Sequence, residues 1–326
     1  MQSHLRFRLV LASLLAATVN CNDADSGTDR ADLSSTILIP GTTPGSATVS
    51  PTGAASYAIP VAIAPGIAGS QPALSIQYSS HGTSGILGQG FSLAGLSAIA
   101  PCPRTVADDG VAADVAFDAS DRLCLDGQRL VSVNGLYNQT GAEYRTARES
   151  LARIRQRADG FVVDAKSGPT LEYGVTRDSR IDVSSGAGVR VWALSRTTDR
   201  TGNVVRYAYA ADTANGDYFP TSIEYAANAA AGVVANQKVE FRYKTRSDVT
   251  PAFVGGAAVK TTRLLQSIAA FESGVEFRSM NFDYDGGRMP FNMPELHMPH
   301  GYLVCIAIML AIAIGQLIFF KRKKWL

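Results

Sequence analysis

The sequence predicts a mainly β protein, built from antiparallel sheets and hairpins, that ends in one transmembrane α-helix. Short runs in which apolar and polar residues alternate, such as Val189–Leu194 and Lys238–Tyr243, dominate residues 38–287. Turn dipeptides such as Asp126-Gly127 separate these runs, as they do in hairpins. A single uncharged apolar stretch, Tyr302–Phe320, lies near the C-terminus and has the length of a membrane span. The alternation predicts sheets with one packed and one solvated face.

Composition fits this fold class and argues against a nucleic-acid partner. The 326 residues carry 18% charged side chains and a formal net charge of +2. Soluble domains usually have about 25% charged residues, and nucleic-acid-binding domains usually carry a strong excess of positive charge. We therefore expect no nucleic acid among the partners, and the oligomeric state stays open.

The N-terminus has the features of a secretory signal over residues 1–21. Arg6 and Arg8 precede an apolar run, Leu9–Val19, which is too short to span a bilayer. Two processing routes stay open. Cys21 is a candidate for lipidation as in bacterial lipoproteins, although Asn20 is not the small residue such signals favour; cleavage after a nearby small residue is the alternative. Residues 22–37 are polar and predict a flexible leader.

The C-terminus predicts a membrane anchor. Residues 302–320 form the predicted helix, and a basic tail, residues 321–326, follows at once. The anchor residues are Tyr302, Phe320, Lys321, Arg322, Lys323 and Lys324. Positive charges stay on the cytoplasmic side, so the signal and the helix together predict an exported chain, anchored in the inner membrane with its body extracytoplasmic.

Only two of the four cysteines, Cys102 and Cys124, belong to the predicted β body. None of the cysteines shows the C-x-x-C spacing of a metal site. In an oxidising compartment the pair can form a disulfide, and two buried thiols are the alternative. The predicted export favours the disulfide.

No pattern in the chain predicts catalysis. The serines lie outside any G-x-S-x-G elbow, and Gly85-x-x-Gly88-x-Gly90 does not open a helix after a strand. His297 and His300 lie in a short polar loop that more often carries such residues without a metal. We therefore predict that the chain is not an enzyme and needs no cofactor.

Several strings resemble a known family. They include Val49–Pro60, Pro65–Ser80 and Gly85–Ser97, and further along Leu123–Leu130 and Trp192–Arg196. In this order they resemble the N-terminal region of the SpvB family and of the B components of insecticidal Tc toxin complexes, over residues 38–287. The segment Asp199–Tyr209 resembles one unit of the YD/RHS repeats. The resemblance implies an RHS-like β module of a secreted toxin or virulence system, partners of the RHS or Tc-toxin type, and an enzymatic part carried elsewhere.

The tail resembles a different family. Residues 288–301 contain Met293–Leu296, an MPEL loop, and with His300–Tyr302 and Phe320–Leu326 they resemble the second transmembrane helix of CorA magnesium transporters. That family selects hydrated Mg²⁺ with a Gly-Met-Asn motif. The nearest match here is Ser279-Met280-Asn281, which departs at Ser279 and follows a strand-like run. Met280, Asn281 and Glu295 are therefore only weak metal-site candidates. The chain looks like a chimera of the two families.

Two functions follow from these resemblances. The first is an exported, membrane-tethered β module with a structural or binding role in a toxin or RHS-type system and no catalytic part. The alternative is a truncated CorA-like protein associated with magnesium or cobalt transport, and Mg²⁺ is implied only in that case.

Overall fold

A computed structural model describes residues 45–183, 188–249 and 251–284 of the chain. Over these ranges the protein is mainly β, with antiparallel strands, which confirms the β part of the predicted fold class. The first eleven strands are β1 Ser46–Val49, β2 Ala55–Pro60, β3 Ser75–Ser79, β4 Ser84–Gly85, β5 Gly88–Gln89, β6 Phe91–Ala94, β7 Ala98–Cys102, β8 Arg122–Leu125, β9 Gln128–Asn134, β10 Glu143–Thr146 and β11 Arg153–Gln156. The other strands are β12 Phe161–Asp164, β13 Thr170–Tyr173, β14 Arg180–Asp182, β15 Val189–Thr198, β16 Val204–Asp212, β17 Asp217–Ala227, β18 Gln237–Thr245, β19 Pro251–Val254, β20 Ala257–Lys260, β21 Arg263–Glu272 and β22 Val275–Asn281. Within the described ranges, helical structure is confined to a 3-10 turn at Ile67–Gly69 and to α1, Val106–Asp109.

Eight strands form a closed ring. Strands β7 to β13 pair in sequence order, and β15 pairs with both ends of the series. At one end Trp192 of β15 registers with Ile99 of β7, and at the other Thr198 of β15 registers with Thr170 of β13. Strand β15 is ten residues long, so it can pair with more than one strand along each of its edges. This length allows it to close the ring.

A five-stranded extension leaves the ring at β15. Its order is β16-β17-β18-β21-β22, and the hairpin β19–β20 is inserted between β18 and β21. A separate four-stranded sheet, β1-β2-β3-β6, comes from the start of the described chain. Several hydrogen bonds join its connecting loops to the extension; among them, the Leu265 amide donates to the Ile86 carbonyl at 2.7 Å, and Arg246 donates to the Gly85 carbonyl at 2.8 Å.

Turn chemistry explains where the strands reverse. Asp126 and Gly127 both adopt positive φ, 49° and 77°, as a two-residue hairpin turn requires. At Gly202-Asn203 only Gly202 has a positive φ, 86°. The side-chain amide of Asn203 donates a hydrogen bond to the Asp199 carboxylate at 2.7 Å, and this hydrogen bond holds the turn.

The core lies on the inner faces of the strands and is rich in tyrosine. Tyr144, Tyr173 and Tyr225 are at most 1% exposed, and each hydroxyl has a hydrogen-bond partner, as buried tyrosines usually do. Burial raises the pKa of the Tyr144 and Tyr225 hydroxyls to about 12. Alternation along each strand therefore separates apolar and aromatic side chains inside from charged ones outside.

Several predicted segments lie outside the described residues. They are the signal (1–21), the leader (22–37), the MPEL junction (288–301), the transmembrane helix (302–320) and the basic tail (321–326). Within the part of the chain that the structure does describe, no helix is long and apolar enough to cross a membrane. The predicted β body, 38–287, contains every described strand.

Candidate functional site: a charged belt across eleven strands

One row of cross-strand partners runs from the ring into the extension. We call it the charged belt. Each of its residues is registered with the next one on the neighbouring strand. In order across eleven strands they are Asn134, Glu143, Arg155, Val162, Glu172, Arg196, Arg206, Glu224, Lys238, Phe271 and Glu276.

Strand alternation places the belt on the outer face. The residues beside it in sequence, such as Tyr144, Ile154 and Ile223, are fully buried. Because successive side chains point to opposite faces of a sheet, the belt residues point away from the core. The belt is therefore a row of mainly charged side chains on the outer face, interrupted by the apolar residues Val162, which is buried, and Phe271.

Ion pairs tie neighbouring strands together along this surface. Glu143 accepts from Arg153 at 2.7 Å and from Arg145 at 3.0 Å. Arg196 lies 2.7 Å from Glu172, and Arg242, beside the belt on β18, lies 3.2 Å from Glu276. Glu143–Arg153 and Glu172–Arg196 join adjacent strands, and such pairs stabilise strand pairing by about 0.2–1 kcal/mol each. Arg145 lies on the same strand as Glu143, and the Arg242–Glu276 pair passes over β21.

These ion pairs shift the pKa of some charged groups on and beside the belt. The hydrogen bond from Arg153 holds the pKa of the Glu143 carboxyl below its ordinary value, and the same contact raises the pKa of Arg153. Arg242 likewise lowers the pKa of Glu240. The Glu143 and Glu240 carboxylates therefore stay ionised to more acid pH than usual.

At one point in the belt like charges meet. Arg196 of β15 registers directly with Arg206 of β16, a pairing that is unfavourable in an isolated sheet. Glu172 neutralises Arg196, but no salt bridge reaches Arg206 or its neighbour Glu224 within the described residues. These two side chains remain available for an incoming partner.

A groove of about 440 Å³ lies along the ring part of the belt. Its charged lining consists of Glu143, Arg153, Arg155, Arg157 and Glu172. The guanidinium groups present several donors in fixed forks, and the carboxylates present acceptors. Such a lining suits a polar protein surface or an extended peptide.

The structure joins the predicted cysteine pair. Cys102 at the end of β7 and Cys124 in β8 form a disulfide, with Cα atoms 5.8 Å apart. The strands are neighbours in the ring, with Ala100 registered to Cys124. The loop between them contains α1, whose Asp109 lies 2.7 Å from Arg122 and 3.1 Å from Arg129.

The weak metal candidates do not converge. Met280 and Asn281 lie in β22, where Met280 registers with Ile268 and packs against the core, and Asn281 registers with Ser267. Over the ranges that the structure describes, no group of His, Cys, Asp and Glu side chains could hold a metal ion. Glu295, the lipidation candidate Cys21 and the anchor residues lie outside those ranges.

The sequence analysis missed the belt. Each strand shows part of the signal, since Arg153-Ile-Arg-Gln-Arg157 and Glu276-Phe-Arg278 alternate charge with apolar or polar residues. Only the strand registers reveal that these separate alternations line up across the ring and the extension.

Comparisons with known proteins agree on the β body. Residues 49–105 match the family model of SpvB, the Salmonella virulence plasmid 65kDa B protein. The N-terminal domain of the effector SpvB from Salmonella typhimurium strain LT2 is similar in structure, with a TM-score of 0.55 and 17% identity over 71% of this chain and 94% of that domain.

Tc toxin structures share the same fold. TcdB2–TccC3 superposes with a TM-score of 0.62 and 16% identity over 74% of this chain. The Photorhabdus luminescens Tc holotoxin pore gives a TM-score of 0.61 and 15% identity over 75% of it. This chain spans about 15% of each of those much longer chains. The resemblance to SpvB and to Tc toxin components is confirmed.

A second comparison gives a short match of another kind. Magnesium transport protein CorA from two Haemophilus influenzae strains is 45% identical over 47 residues. The match covers 14% of this chain and 12% of the CorA proteins.

Proposed function

From the SpvB-type fold of residues 49–105 and the Tc-toxin fold of the surrounding β body, we propose that this chain is an exported, membrane-tethered binding module without a catalytic part. In this role the ring and its extension are a rigid scaffold, and the charged belt is the surface that meets an RHS-type protein partner. The observation that carries the proposal is the belt itself, a row of cross-strand partners that crosses eleven strands with β-bulges beside several of its members.

The belt offers what a specific polar interface needs. Two of its arginines, Arg155 and Arg196, are held by the carboxylates of Asp164 and Glu172, so their side chains lose little freedom when a partner binds. Arg206 and Glu224 have opposite charges and lie in register without an ion pair among the described residues, so they can meet complementary charges on a partner. Charge complementarity of this kind sets partner choice and association rate more than affinity.

A capture experiment tests the partner. The full chain would be crosslinked in cells that express an RHS-repeat protein, alongside the belt variant Arg155→Glu/Arg206→Glu. We expect the RHS-repeat protein to be captured by the natural sequence and lost with the variant. Arg148→Glu is the matched control, because Arg148 is exposed in a loop off the belt. Equal capture by all three chains would overturn the assignment of the belt.

The disulfide gives a test of export. Thiols would be trapped by alkylation in intact cells, and the oxidised fraction of the Cys102–Cys124 pair measured by mass spectrometry. We expect oxidation in the natural chain and reduced thiols in a variant lacking residues 2–21, because cytosolic thiols are kept reduced. Reduced thiols in both chains would contradict export.

The second candidate function is divalent metal transport, which the 45% identity to CorA over 47 residues favours. In this case the tail would pack against intact channel subunits. Uptake of Mg²⁺ or Co²⁺ that falls on deletion of residues 288–326 would support it. Unchanged uptake would leave the tail with the role of an anchor.

A further inference from the structure

The last strand of the extension, β22, has a single neighbour in the described part of the chain. It pairs with β21 along one edge, and its other edge has no strand partner there. Six of its seven residues are exposed, with Val275 at 68% and Phe277 at 47% exposure. An exposed edge strand that carries large apolar side chains is a template for pairing with another strand.

The charges of β22 are arranged symmetrically about Phe277. Glu276 lies on one side of it and Arg278 on the other. If two copies pair antiparallel with Phe277 opposite Phe277, each Glu276 lies opposite the other copy's Arg278. Opposite charges and aromatic residues directly across a sheet both stabilise the pair. The strand is therefore complementary to itself in one register.

A bulge at the same place fits this arrangement. Arg278 registers with Ala270 and Glu276 with Phe271, so Phe277 is an extra residue between two ladder pairs. A bulge bends an edge strand and usually discourages pairing with a straight strand. A second copy has the same bend at the same residue, so two strands related by a two-fold axis through Phe277 bend together.

We propose that β22 is a homodimerisation strand, which pairs antiparallel with β22 of a second copy about a two-fold axis at Phe277. The interface is isologous, as in most homodimers, and joins the two extensions into one sheet. The inference goes beyond the binding role of the charged belt and does not depend on it.

Cysteine crosslinking of the full chain tests the register. A Phe277→Cys chain should form an intermolecular disulfide with itself, because the two substituted positions face each other. Ser279→Cys alone should not, since Ser279 would face Val275. A mixture of Ser279→Cys and Val275→Cys chains should crosslink again. Mass spectrometry of the linked peptides separates these bonds from any formed by Cys21 or Cys305.

Charge reversal tests the pairing of Glu276 with Arg278 of the second copy. The dimer dissociation constant of the full chain would be measured by sedimentation in detergent. Arg278→Glu should raise the dimer dissociation constant about tenfold, because two attractive pairs become repulsive. The double exchange Glu276→Arg/Arg278→Glu should restore it. Failure of Phe277→Cys to crosslink in the folded protein, or equal crosslinking by Ser279→Cys alone, would overturn the proposal. A chain that stays monomeric at all concentrations would also overturn the proposal. That result is expected if a segment of the same chain covers the free edge of β22.

Discussion

The hydroxyl of Tyr225 donates a hydrogen bond to the carbonyl oxygen of Ala64 at 2.8 Å, across 161 positions of sequence. Tyr225 lies in β17 of the extension, and Ala64 follows β2 of the four-stranded sheet. Both residues are buried, at 0% and 5% exposure. The bond therefore links the segment that matches the SpvB family model to the extension that carries five of the eleven belt residues.

Replacing this tyrosine should weaken the whole body. Tyr225→Phe keeps the ring but leaves the buried Ala64 carbonyl without its partner, so we expect a loss of about 1–3 kcal/mol in unfolding free energy. Urea denaturation measures it. Tyr57→Phe is the control, because Tyr57 is half-buried and its hydroxyl makes no hydrogen bond within the described residues. Equal midpoints for the Tyr225→Phe and natural chains would contradict the linking role.

Loss of the disulfide should destabilise the ring. Cys102 and Cys124 close a loop with a sequence separation of 22, for which the chain-entropy model gives about 3 kcal/mol. The Cys102→Ser/Cys124→Ser chain should therefore unfold at lower urea than the natural chain under oxidising conditions. The two chains should converge when a reductant is added. A difference that persists under reducing conditions would point to packing rather than the crosslink.

Asp109 should make stability depend on acid pH. The hydrogen bond from Arg122 lowers its pKa below the ordinary 3.8. Because the folded state binds its proton less readily than the unfolded state, the stabilisation is present above pH 3.8 and is lost as pH falls through the folded-state pKa. Asp109→Asn should thus be less stable than the natural chain at pH 7, and the gap should shrink below pH 3.8. Thermal melts over a range of pH measure the difference in stability. Asp108→Asn is the control, because Asp108 makes no ion pair within the described residues.

The Gly202 turn should tolerate no side chain. Its φ of 86° lies in the left-handed region, where an L-residue costs about 1–2 kcal/mol. Gly202→Ala should lower the unfolding free energy by that amount. Gly85→Ala is the matched control, because Gly85 lacks a positive φ and its added Cβ would lie 3.9 Å from the nearest atom, the Phe91 carbonyl oxygen. A similar loss in both variants would contradict the conformational argument.

Local patterns in the sequence predict much of this fold, and the long-range arrangement is what they leave out. The alternation in Lys238–Tyr243 predicts β18, and Asp126-Gly127 predicts the β8–β9 turn, because both depend on residues close in sequence. The closure of the ring at Thr170 and Thr198, and the alignment of Glu143 with Arg155 and Arg155 with Val162, depend on registers between strands. A register is set jointly by loops, bulges and packing, so no single segment encodes it.

The Met280-Asn281 pair shows that a short match to a motif can mislead a prediction. A two-residue match to a transporter motif carries little information, whereas the alternation around it predicts a strand. The structure has that strand, with Met280 packed inward and Asn281 exposed. The cysteine pair differs, since Cys102 and Cys124 lie in neighbouring strands that bring them within bonding distance.

We propose that the β body faces outward from a membrane-tethered chain. Proteinase treatment of spheroplasts, followed with antibodies to the body and to the C-terminal tail, distinguishes the two possible orientations. We expect the body to be digested in intact spheroplasts, while a fragment with the tail survives until the membrane is dissolved. A body that survives in intact spheroplasts and is digested only after lysis would contradict it.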